Sequence, residues 1–136
     1  MLYSSSFDVA VGPIIAAMVC AGLGVFIIVT LMEAGVLRLL KWGTFKKCLG
    51  VSLVMNLATS VLGYILYSIP GGSNFISPFP FGSPWNLVTT GLLSALGEWI
   101  VLMFFKRGAL RENAVAALVA NATSYLLVMS WLRNLL

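Results

Sequence analysis

The chain has 136 residues, of which 60% are hydrophobic and 9% charged, with a net charge of +4. A soluble globular domain carries about 25% charged residues, so the composition excludes an ordinary water-soluble enzyme. The length allows about four membrane spans of roughly 20 residues with short connections. The absence of histidine removes His-containing metal sites, His-ligated haem and Ser–His nucleophiles. Cys20 and Cys48 lie outside any C-x-x-C spacing, which argues against a dithiol oxidoreductase. A non-catalytic protein with no cofactor and no metal site is expected.

In chain order, the N-terminus lacks a basic region, carries Asp8 and leads into an apolar stretch too long for a signal-peptide core. It therefore reads as a retained first span. That span is expected from about Pro13 to Leu40, with Pro13 at the first helical position. The second runs from about Cys48 to Ile69, the third from Trp85 to Phe105 and the fourth from Asn113 to Trp131. Each covers roughly 30 Å of hydrocarbon at 1.5 Å per residue, and lipid forces such stretches into helices because it offers no water to the backbone. The reading is an all-α integral membrane protein of four transmembrane helices in a single membrane domain, 1–136.

Charge gives an orientation. Arg38, Lys41, Lys46 and Lys47 flank the first connection, and Lys106, Arg107 and Arg111 flank the third, while no residue from Cys48 to Gly97 is charged. Basic residues accumulate in short cytoplasmic loops. The connections near 41–47 and 106–112 are therefore expected in the cytoplasm, with both termini and the 70–84 loop on the other side of a plasma (inner) membrane of prokaryotic type. The net positive charge is this bias rather than a nucleic-acid footprint, so no nucleic-acid partner is expected.

An internal repeat is the most informative feature. With Leu31 laid over Leu96, Glu33 falls on Glu98, Lys41 on Lys106, Gly43 on Gly108 and Asn56 on Asn121, and Val36, Leu37, Leu53 and Val54 also meet identical residues. Nine identities in the 26 positions from 31 to 56 compare with roughly two expected by chance at this composition. Thr59 and Ser124 extend the pattern to E…K-x-G…N-x-x-[ST]. Hairpin repeat 1 spans about 13–69 and hairpin repeat 2 about 85–133, separated by the loop. With an even number of spans per unit, both hairpins insert the same way up, and a pseudo-twofold axis should run along the membrane normal, unlike the inverted repeats of many transporters.

Glu33, Asn56, Glu98 and Asn121 all fall roughly 12–15 Å inside the basic end of the bundle. Carboxyls at that depth point into the bundle toward a partner. With no Lys or Arg at that level, the cheapest state is an uncharged acid whose O–H donates to the amide oxygen while the amide donates back. Ser52, Asn56, Thr59 and Gly63 share one helix face, Ala117, Asn121 and Ser124 repeat it, and Gly91 and Ser94 share a face with Glu98, all at spacings that let helices approach closely. The intramembrane polar cluster is therefore Glu33, Asn56, Thr59, Glu98, Asn121 and Ser124. It either sets helix pairing or forms a proton or cation site; a seat for lipid, quinone or pigment is the third option.

The 70–84 loop is uncharged and holds four of the five prolines, which disfavours helix and strand. Phe75, Phe79, Phe81 and Trp85 there either join Tyr64 and Tyr67 in a headgroup belt or anchor another subunit. Tyr3 and Trp131 fit the same outer belt and Trp42 an inner one, while Trp99 either shields Glu98 from lipid or faces a neighbour. The expected partners are membrane lipids and other integral membrane subunits. The function expected first is a non-catalytic accessory subunit of a larger membrane complex. The alternative is a small homo-oligomeric proton- or cation-coupled transporter or channel using Glu33 and Glu98.

Overall fold

The computed structural model describes the backbone of residues 6–72 and 84–135, and the side chains of 15–72, 85 and 88–131. Phe75, Phe79 and Phe81 lie outside the described residues. The described chain forms four helices: α1 (Ser6–Leu39), α2 (Phe45–Ser68), α3 (Pro84–Phe105) and α4 (Leu110–Leu135). Each contains a segment long and apolar enough to cross a membrane: Ile15–Leu39, Phe45–Ser68, Val88–Phe105 and Leu110–Trp131. They pack as a ring in which each helix touches its neighbour in sequence and α4 closes on α1.

Two details differ from the sequence expectation. Helix α1 begins at Ser6, so Pro13 lies within it rather than at its first position. A proline there forfeits one i→i−4 hydrogen bond, which the long apolar helix absorbs. Trp42, expected in a lipid-facing belt, is 4% exposed. The turn after α1 drives it inward, because Lys41 takes a left-handed conformation (φ 56°). The Trp42 amide then donates to the Leu37 carbonyl and the Lys41 amide to Arg38, both at 3.0 Å. This is a Schellman cap with lysine at the position that glycine normally fills. The other connection uses Gly108, φ 85°, at the end of α3.

Buried Trp42 ties the two connections together. Its indole N–H donates to Asn113 Oδ1 at 2.8 Å, and the Asn113 amide donates to the Lys106 carbonyl at 2.8 Å. The ammonium groups of Lys47 and Lys106 stand 5.1 and 5.9 Å from the Trp42 ring centroid, within cation–π range. Thr44 starts α2 by accepting from the Lys47 amide. Beneath this tie lies the apolar core: Ala34, Leu37, Cys48, Val51, Met55, Leu102, Ala116 and Ala117, all buried. Alanines on α4 let that helix approach closely. The buried apolar core of the bundle therefore lies toward the end carrying the two short connections, where an open groove runs between Trp42 and the start of α4.

Replacing Asn113 by Leu strands the Trp42 N–H and the Lys106 carbonyl in a buried place, at a cost of about 1–3 kcal/mol. The midpoint of detergent-driven unfolding, followed by far-ultraviolet circular dichroism, is expected to fall accordingly. An unchanged midpoint would show that the tie adds no stability.

Candidate intramembrane binding site

The buried apolar core ends at the two acids. Glu33 on α1 and Glu98 on α3 are each 1% exposed, and each meets the asparagine 23 residues later across its own helix pair. Ser52 comes from the buried face of α2, where its hydroxyl lies 3.0 Å from Glu33 Oε2 and 2.9 Å from the Thr30 carbonyl. The Asn56 amide donates to the same Oε2 and reaches back to the Ser52 carbonyl at 3.1 Å. From α4, the Ser124 hydroxyl faces Glu33 as well. Glu33 is thus held by two donors from α2, with Ser124 of α4 beside it.

Glu98 is held less fully. Its Oε1 accepts from Asn121 at 2.8 Å and from Ser94, one turn earlier on its own helix, at 3.3 Å. Its Oε2 is buried and has no hydrogen-bond partner; among the described residues only Thr90 Oγ1 shares that condition. The two-way acid–amide pair expected from the sequence forms only one leg, from amide to acid, in both cases.

Both acids line a cavity of about 720 Å³ that runs from them toward the end of the bundle carrying the long loop. Asn56, Asn121, Thr59 and Ser124 also line it, so all six residues of the predicted cluster meet one space. Its walls farther out are Tyr64 and Tyr67 of α2, Thr90 and Leu93 of α3, and Tyr125 and Met129 of α4. The volume lies within the range of small-molecule sites, which are largely apolar with a few convergent polar groups.

The six do not act alike. Thr59 donates to the Met55 carbonyl at 2.9 Å, and its methyl would stand 3.2 Å from a Cβ added at Gly97. It sets the close crossing of α2 and α3. Ser124 also donates to the Asn121 carbonyl at 2.9 Å. Ser52, Thr30 and Tyr125 belong to the site but fell outside the predicted cluster. Ser52 had a signal, its place on the polar stripe of α2. The Trp99 indole donates to the Leu110 carbonyl at 3.2 Å, toward the connections. Trp85 is 77% exposed and clear of the cavity.

Chemically, the arrangement offers carboxyl and amide oxygens and phenol rings in a pocket without an opposing cation among its lining residues. It contains no group of three metal-ligating side chains among the described residues. Compared with protein-family models, characterised proteins and solved structures, the chain has no match in any of the three.

A double-mutant cycle on Glu33→Leu and Asn56→Leu should return a coupling of about 0.6–1.7 kcal/mol, the range of interhelical hydrogen bonds in membranes. Unfolding midpoints in mixed detergent would measure it. A coupling indistinguishable from zero would mean that this pair does not hold α1 to α2.

Proposed function

We propose that the chain is a small, non-catalytic integral membrane protein that binds and moves a proton or cation at Glu33 and Glu98. The observation that carries this reading is the cavity: two acids with no counter-charge among its lining residues open into one space half-way along a four-helix bundle. Ionisable groups placed so deep are costly. Were helix pairing their only role, neither a cavity nor an unpaired carboxyl oxygen would be needed.

The proposal includes the arrangement of the chain. Two tandem hairpins insert the same way up in a plasma membrane of prokaryotic type, related by a pseudo-twofold axis along the membrane normal. The short connections face the cytoplasm; the termini and the 70–84 loop face outward. Support comes from the matched pairs Glu33–Asn56 and Glu98–Asn121, which coincide when the two hairpins are superposed in sequence, and from the basic residues grouped at the two connections. In this frame the site opens outward and is sealed on the cytoplasmic side by the Trp42–Asn113 tie.

Reconstituted into liposomes carrying a pH gradient, the protein should dissipate the gradient when an external cation is supplied. The double variant Glu33→Gln/Glu98→Gln should reduce that flux to the rate of protein-free vesicles. Equal flux through the variant and the unaltered protein would overturn the reading.

A second reading, a non-catalytic accessory subunit of a larger membrane complex, is favoured by α1. Only 6% of its most apolar window is buried within the bundle, against 28% for α4, so its outer face is free to meet other integral subunits as well as lipid. Extraction from native membranes in a mild detergent should then yield a stable hetero-assembly by size-exclusion chromatography with light scattering. Recovery only as a monomer or homo-oligomer would dispose of it.

A further inference from the structure

We infer that the two acids divide the work: Glu33 braces the bundle, and Glu98 binds an apolar organic ammonium ion bearing at least one N–H. This rests on the cation-site reading above.

The argument starts from the unequal seats. Glu33 Oε2 takes donors from Ser52 and Asn56, whereas Glu98 Oε2 is buried with none. The sequence explains the difference, because in the repeat alignment Ser52 falls on Ala117 and Thr30 on Ala95. The second hairpin has lost the hydroxyl that would cover this oxygen. Ser94 adds a donor, but to Oε1. A buried polar atom left without a partner costs about 1–3 kcal/mol, and a ligand N–H aimed at this oxygen, once its proton has left, would recover that loss.

The charge must come from the ligand. The groups around Glu98 are Ser94 on its own helix, Asn121 and Tyr125 on α4, Tyr64 and Tyr67 on α2 across the cavity, and Glu33 on α1. None is cationic, and a buried carboxyl without a counter-charge is held in its uncharged form. The empty site is therefore neutral at Glu98. On binding, the Glu98 O–H bond breaks, its proton leaves to water, and the carboxylate accepts the ammonium N–H; the charge within the site changes by no net unit.

Size and lining select the class. A hard metal ion calls for about six converging oxygens with several carboxylates among them, whereas the described residues hold no group of three metal-ligating side chains and the 720 Å³ cavity adds leucine, valine and tyrosine to its polar end. Phenol rings near an ammonium add cation–π attraction. The second unpartnered oxygen, Thr90 Oγ1, lies two helical turns toward the loop end, roughly 12 Å along the helix, so an ammonium seated at Glu98 on a short carbon arm places its aryl ring toward the Thr90 end of the cavity.

The test is calorimetric titration of the purified, detergent-solubilised protein with phenethylammonium in two buffers of different ionisation enthalpy. About one proton should be released per cation bound, and Glu98→Gln should weaken binding about tenfold or more while Glu33→Gln changes it by less than about threefold. Ala117→Ser, a small change that restores the missing hydroxyl, should also weaken binding, with circular dichroism unchanged. Equal binding by Glu98→Gln and the unaltered protein would overturn the inference, as would equal affinity for benzyltrimethylammonium, which has no N–H. Acid-dependent flux of protons or sodium in liposomes without phenethylammonium binding would sink this inference and leave the broader function standing. Absence of both would sink the two together.

Discussion

A carboxyl group surrounded by hydrocarbon has no water to lean on, and that constraint organises the centre of this molecule. It must be neutral, paired or both. Here each acid is met by a carboxamide from the adjacent helix, 23 residues farther along the chain, which is the distance needed to descend one helix, turn and climb back to the same depth. The Glu–Asn bonds therefore tie α1 to α2 and α3 to α4 at matched heights. Cross-helix bonds of this kind are individually modest; their value lies in fixing register among surfaces that lipid solvates as readily as another helix does.

Around that level the bundle changes character. Toward the short connections, small residues and the inward-turned Trp42 give a dense core in which Leu37, Cys48, Met55 and Leu102 are fully buried. Toward the long loop the same four helices enclose a cavity lined by tyrosines and hydroxyl groups. The acids sit at the boundary. Their environment is dry from one side and reachable from the other, the condition in which a buried ionisable group can be both expensive and useful.

Much of this was legible in the residues, because the forces at work leave periodic or blockwise traces. Runs free of charge mark spans, and the recurrence of Glu and Asn at equivalent places in the two hairpins marks the pairing partners. The cluster around Glu33 and Glu98 could be assembled on those grounds. What stayed hidden depends on local backbone geometry. Trp42 beside lysines resembles an interfacial anchor, and only the left-handed Lys41 turns it inward to Asn113. Pro13 resembles a helix start, and only the backbone shows α1 beginning at Ser6. The bare oxygen of Glu98 was present in outline as the Ser52/Ala117 mismatch. Serine and alanine are equivalent on a small-residue stripe, however, until a particular acid is seen to need the hydroxyl.

The Glu33–Asn56 pair also has a mechanical consequence. It fastens α2 part-way along its length, so the stretch from Leu57 to Ser68 is a lever about 18 Å long; leaning by about 10° displaces its tip by about 3 Å, the width of a water molecule. With the fulcrum at mid-helix, leverage grows toward the free extremity. Tilts too slight to disturb the packed base are enough to widen or pinch the opposite mouth.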